Sequence, residues 1–407
     1  MIRRMWLMPV GLLFVGCGGT QPEIDFGRVE WSGPPASSAT NLSVASDGRV
    51  LLTWFEPAGD EQFALMIAVR AGDGWSEPRV VARRPRFFVN WADLPSSVEL
   101  SDGSWMVNWP EKTARNTYAY HVRLAISRDQ GLSWSDPVVP HRDDSPREHG
   151  FVSMVPRADG SAEVIWLDGR NLTTADAADE RGDIDTGEMS VRATTVSSDG
   201  TLGPEVLLDK RVCECCQTAM ARTSSGIVAA YRDRSEAEIR NIAVVRKVDG
   251  EWTDPQPVHD DNWYYPGCPV NGPQLSASGD TVAIVWFTAP EQKPAVLAAF
   301  SFDAGASFGT PVRIDDGDPL GRVDVVLLPS GAAAVSWLER TRRAAEVRVR
   351  VARPSGTVSD AQVVTVTSER RASGFPRMVV VGDSLLFAWT EVGDSGGVRV
   401  RAATVRD

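Results

Sequence analysis

The sequence predicts an all-β fold: a β-propeller of seven four-stranded blades. Three observations carry that prediction. An apolar run ends in an aromatic residue seven times, at Trp54, Trp109, Trp166, Tyr231, Trp286, Trp337 and Trp389, at intervals of 55, 57, 65, 55, 51 and 52 residues. A period of this length, built from strands, marks radially repeated sheets. Asp-Gly and Ser-Gly turns join strands of about five alternating residues, and helical periodicity is nearly absent. Six blades is the alternative count.

Along the chain, residues 1–17 come first. Arg3 and Arg4 precede an apolar stretch from Met5 to Val15, and Phe14-Val15-Gly16-Cys17 resembles a bacterial lipobox whose cysteine is lipidated. The stretch is too short for a permanent membrane span. The expectation is a signal peptide over 1–17, lipidation at Cys17, a tether over 18–27 and a single propeller over 28–407. Gly18 carries no inner-membrane retention acid, so the resemblance implies the outer membrane of a bacterial cell envelope. An ordinary secretory signal is the alternative, and the arginine pair faintly resembles a twin-arginine signal.

The first unit reads LSVASDGRVLLTW, then FALMIAVRAGDGWSEPRVV; the second reads VELSDGSWMVNW, then YAYHVRLAISRDQGLSWSDPVV. Each gives two strands around a tight turn, a third alternating strand and a short fourth one. The seventh unit stops at VRVRAATVRD, after its third strand. Arg28–Pro34 carries the Trp-Ser-x-Pro signature of a fourth strand and would close the ring, removing an exposed edge. The 42 basic and 54 acidic residues give a net charge of −12, against the broad basic face that nucleic acid requires. A monomer is expected.

Ser127–Trp134, SRDQGLSW, matches the Asp-box pattern Ser-x-Asp-x-Gly-x-x-Trp, and Ser301–Phe308, SFDAGASF, matches it with Phe for Trp. Weaker echoes stand at Ala71–Trp75 and Asp249–Trp252. The chain therefore resembles the sialidase-like, Asp-box propellers over essentially all its mature length. The resemblance implies architecture, because the box is a structural hairpin. It offers Arg322 and Arg377 as carboxylate-binding arginines. No Phe-Arg-Ile-Pro motif is present and no tyrosine follows Tyr265, so the third arginine and the tyrosine nucleophile find no match, and ordinary sialidase turnover is not expected.

In a four-stranded blade the second-to-third loops and the interblade links share one side, and the Asp boxes lie on the other. Glu56, Glu111, Asp168, Asp233, Glu339 and Glu391 each follow the aromatic by two residues, with Thr288 breaking the series. A repeated carboxylate is foremost a fastening for a neighbouring strand end. Arg170, Arg232, Arg234, Arg322, Arg340 and Arg377 stand beside these acids as ion-pair partners or as an anion pocket. The ligand-binding candidates are His149, Arg170, Arg232, Arg234, Arg322, Asp324, Arg377, Asn271 and Tyr264, for a carbohydrate or small anion. If the protein is a glycosidase, Asp168, Asp233 and Glu148 are the acid–base candidates.

Cys213, Cys215, Cys216 and Cys268 form an even set in an exported protein. Two disulfides, with Cys215–Cys216 as a vicinal pair, are one outcome. A thiolate site for copper or zinc, with His149 as an added ligand, is the other. His121 reads as a packed or surface histidine; His141 and His259 fall near strand ends. Asp176, Asp179, Glu180, Asp183 and Asp185 read as a solvated acidic loop. The expected function is an envelope-anchored propeller that binds a carbohydrate or anion at the interblade face. A thiolate metal or redox protein and a non-catalytic binding scaffold are the alternatives.

Overall fold

The computed structural model describes residues 23–60, 62–72, 74–173 and 186–406. The expectations for Cys17, for the leader and for the acidic residues 176–185 lie outside these, as does Asp73. The described chain forms seven antiparallel sheets and, apart from strands, two single 3-10 turns, Pro290–Gln292 and Arg371–Ser373. It is a seven-bladed propeller.

Blade 1 runs through Ser38–Val44, Val50–Pro57, Phe63–Ala71 and Arg79–Arg84. Blades 3 to 6 repeat the pattern, opening at His149, Ala219, Gln274 and Pro319. Blade 2 departs from it. Ser96–Glu99, Trp105–Lys112 and Tyr120–Ser127 make three strands, and its outer edge is reduced to one bridge, Leu124 to Val138, before an irregular link to blade 3. Blade 7 contains Arg377–Val381, Ser384–Thr390 and Val398–Arg406, and Glu23–Ser32 pairs antiparallel to the last of these. The N-terminal strand thus supplies the missing edge, as the sequence predicts. It starts at Glu23, so residues 23–27, expected as tether, are sheet: the pairing runs on from Trp31–Val400 to Glu23–Arg406 because the partner strand continues that far.

The blades pack through apolar faces on both sides of every sheet, which explains why second strands such as Val50–Pro57 are buried at almost every position instead of alternating. The seven aromatics stand at the end of these strands, six of them at most 1% exposed and Trp389 at 5%. Four donate their indole N–H to the acid two residues on: Trp54 to Glu56 at 2.9 Å, Trp109 to Glu111 at 3.2 Å, Trp166 to Asp168 at 2.8 Å and Trp337 to Glu339 at 2.6 Å. A buried indole needs an acceptor, and the repeat supplies one. Where the series breaks at Thr288, Trp286 donates instead to Asp261 at 2.7 Å, and Tyr231 donates to Asp209 at 2.8 Å.

Both Asp boxes form the expected turns. Asp129 accepts from Ser133 N at 2.8 Å, and Gly131 N donates to Ser127 Oγ at 2.7 Å; Asp303 and Ser301 repeat this with Ser307 and Gly305. Gly131 and Gly305 take φ of +82° and +80°, a conformation that favours glycine.

Candidate functional site at the interblade face

Innermost strands begin at the interblade end, so the residues just before them line one rim. A polar side chain there repeatedly accepts a backbone N–H from the next blade. Asp93 accepts from Phe151 at 3.0 Å, Gln217 from Gly272 at 3.0 Å, Asn271 from Arg322 at 2.8 Å and Asp324 from Met378 at 2.7 Å. These bonds stitch blades 2–3, 4–5, 5–6 and 6–7. The repeat was present in the links as polar residues at one position, a signal that comparing the interblade segments among themselves could have found.

A cavity of about 380 Å³ lies among the innermost strands, lined at this rim by Asp93, Gln217, Asp324 and Arg377. The segment Asn90–Asp93, of which Ala92 and Asp93 line the cavity, makes contacts with distant blades. Asn90 Oδ1 accepts from Ala92 N at 2.8 Å, Gln217 Nε2 donates to Ala92 O at 2.9 Å, and Trp91 stacks on Phe375 of the blade 6–7 link at 5.6 Å and 24°. Two guanidiniums lie over the Trp91 ring, Arg322 at 5.0 Å and Arg371 at 5.7 Å. Trp91 belongs to blade 2 and its partners to blades 6 and 7. Contacts between non-adjacent blades follow no sequence period and so are not legible in the chain.

The arginines divide into two kinds. Arg170 is paired with Asp168 at 2.6 Å and Glu205 at 2.8 Å; Arg234 is paired with Glu238 at 2.9 Å and with Glu214. Arg232 is buried and donates only to carbonyls, of Asn271, Arg240 and Phe287. Arg322 donates to Ser373 Oγ at 2.6 Å and to the carbonyls of Glu369, Arg370 and Gly374; burial and Arg371 push it down to about 10. Arg377 is lowered by burial, its Nε has no hydrogen-bond partner, and its nearest carboxylate is Asp324 at 4.0 Å. Among the described residues Arg322 and Arg371 have no carboxylate partner at all. Arg340, also beside the acid series, pairs with Asp318 and Glu369.

Asp93, in the link between blades 1 and 2, lies outside the repeated acid series. It is buried, its Oδ2 has no hydrogen-bond partner, and burial raises its pKa to about 7 against the Phe151 N–H that opposes the rise. Beside it Tyr120 Oη donates to Glu148 at 2.8 Å. A tyrosine–glutamate pair with a nearby aspartate is therefore present, but between blades 2 and 3, and Tyr120 is buried with its pKa raised by burial, Glu148 and Asp93. Such a phenol holds its proton and its neighbours in place.

Asp168 is fully buried. Burial would raise its pKa, yet Arg170, His149 and Trp166 hold it down to about 2, which makes it a fixed anion rather than a proton donor. Asp233 is half-buried and raised to about 6 by burial and by Asp209. Tyr264 is 63% exposed at the blade 4–5 link.

The cysteines correct part of the sequence reading. Cys215 is bonded to Cys268, tying blades 4 and 5, and no vicinal Cys215–Cys216 bond forms. Cys213 and Cys216 are buried thiols with sulfurs 3.0 Å apart. Burial would raise Cys216, but the Cys213 thiol, Arg232, the Asn271 N–H and Arg240 lower it. His149 is not part of a thiolate cluster; it lies against His121 and His141, with ring centroids 4.9 and 3.9 Å away.

No protein-family model matches the chain, and no curated protein matches it. Solved structures match it in fold. An ulvan lyase, described as a new family of polysaccharide lyase and bound to -[GlcA(1-4)Rha3S]-, aligns with a TM-score of 0.58 and 11% identity over 94% of this chain and 96% of that one. A protein of unknown function from Dyadobacter fermentans DSM 18053 aligns at 0.50 and 12%, over 95% and 98%. A mutant of NanB sialidase from Streptococcus pneumoniae aligns at 0.46 and 9%, over 95% and 94%. At these identities the likeness to the lyase and to the Dyadobacter protein is one of fold.

Proposed function

We propose that the protein is a carbohydrate-binding propeller of the bacterial cell envelope whose ligand is an acidic saccharide held at the interblade face. The observation that carries this is Trp91, next to the cavity-lining Ala92 and Asp93, with Arg322 and Arg371 over its ring and neither guanidinium paired to a carboxylate among the described residues. The part-exposed indole offers a sugar ring an apolar contact, and the exposed Arg371, with no carboxylate partner among the described residues, offers its carboxylate or sulfate a forked donor, while Arg322 is held on Ser373 and neighbouring carbonyls. The ulvan lyase of the same fold is bound to such an acidic saccharide. Asp233 is the half-exposed acid on this side able to give up a proton near neutrality, so any cleavage of the bound saccharide follows its titration, declining above pH of about 6. Lipidation at Cys17 would tether the propeller to the outer membrane; labelling with a radioactive fatty acid, lost in Cys17→Ala, tests that separately.

The binding test is calorimetric titration with uronyl, sialyl, sulfated and neutral oligosaccharides. The expected result is binding of one acidic class only, weakened about 10-fold or more by Trp91→Ala and by Arg371→Ala and weakened further by salt. Equal affinity for neutral sugars, or full affinity in both variants, would refute the reading.

A further inference from the structure

Three histidines stand apart from that face's ligand chemistry. His121 lies on the third strand of blade 2, His141 in the irregular link that follows it, and His149 opens blade 3; all are buried. One nitrogen from each lies within 4.8 Å of the others. Each ring also has one nitrogen on a backbone carbonyl: His121 Nε2 on Ser145 at 2.9 Å, His141 Nδ1 on Asp143 at 2.7 Å and His149 Nδ1 on Arg147 at 3.2 Å. A carbonyl only accepts, so those nitrogens carry the proton, and the remaining nitrogen of each ring presents a lone pair. His141 Nε2 and His149 Nε2 are buried with no hydrogen-bond partner. His141 Nε2 has no partner and the lone pair of His149 Nε2 faces carboxylate oxygens of Asp143 and Asp168, an arrangement that is costly unless a cation satisfies it.

We propose that His121, His141 and His149 bind a divalent transition-metal ion, zinc in preference, through the nitrogen of each ring that is not on a carbonyl, with the Asp143 carboxylate beside His149 adding negative charge at the site. Three features beyond the triad support it. Asp143 Oδ2 stands 3.1 Å from His149 Nε2. The carbonyl on the far nitrogen of each ring is the usual way a protein orients a metal-binding imidazole. Behind His149, Asp168 Oδ2 is 3.7 Å away and already committed to Trp166 and Arg170, so it contributes charge without being a ligand.

The ion would have a structural task. Blade 2 lacks a full outer strand, and its link to blade 3 has little regular pairing. Ligands from the third strand, the link and the next blade's first strand would clamp that weak seam. The site has no thiolate, so it is separate from the cysteine cluster.

The test is elemental analysis of the full chain after loading with zinc and removal of free metal, paired with cobalt(II) titration. The expected result is about one ion per chain, visible bands of tetrahedral cobalt with no sulfur charge-transfer band, retention of both in the Cys213→Ser, Cys216→Ser double variant, and loss of both in His141→Ala. If His141→Ala does not fold, the wild-type cobalt spectrum decides alone. No stoichiometric cobalt binding, a thiolate charge-transfer band, or a folded His141→Ala that keeps its metal would overturn the proposal.

Discussion

At Gly150 the absence of a side chain is what lets the rim assemble. A Cβ there would stand 2.1 Å from Asp93 Oδ2 and 2.6 Å from the Tyr120 ring, closer than real contacts. Gly150→Ala is expected to lower stability by about 1–3 kcal/mol through forced displacement of those groups, measurable by urea unfolding. Asp93 makes a second prediction, and its sign follows from linkage. Its folded pKa of about 7 lies above the ordinary 3.8, so the unfolded chain releases this proton first. Its contribution is favourable below pH 3.8, is lost as pH rises toward 7 and is level above that, a swing of about 4 kcal/mol at most. Asp93→Asn should remove that slope, so that its stability relative to wild type improves from pH 4 to pH 8 in matched urea titrations; an unchanged slope would mean Asp93 ionises normally.

At the scale of elements, the N-terminal strand and the disulfide do the closing. Deleting residues 23–32 would leave the Val398–Arg406 edge unpaired, and the expected outcome is association through that edge, seen as oligomers by light scattering. Cys268→Ser opens a bond spanning a sequence separation of 53 and is expected to cost about 4 kcal/mol on the loop-entropy scale. Its unfolding midpoint should then be insensitive to reductant. The blades and the closing strand were legible because a blade repeats the same spacing seven times, and because an unfinished seventh unit demands a partner. The acid two residues after six of the seven aromatics was legible as a pattern too, and its role at Trp54, Trp109, Trp166 and Trp337 is to receive the indole N–H. The histidine triad was not legible, since His141 sits in an irregular link, where nothing periodic fixes what it faces. Nor was the cysteine pairing, because four sulfurs on two neighbouring links allow several connections and only the backbone path selects among them.

Over the whole molecule, the ring brings together residues that the chain keeps far apart. Trp91 meets Phe375 and the guanidiniums of Arg322 and Arg371 across the axis, and Gln217 bonds the Ala92 carbonyl. A net charge of −12 surrounds this local excess of guanidinium, so attraction for an acidic ligand acts at short range and should fall as salt screens it. The most direct measurement is a crystal structure of the protein with an acidic oligosaccharide that binds it in solution. The account predicts a sugar ring against Trp91 with its carboxylate or sulfate on Arg371. Density at the Asp-box face, or none near Trp91, would contradict it.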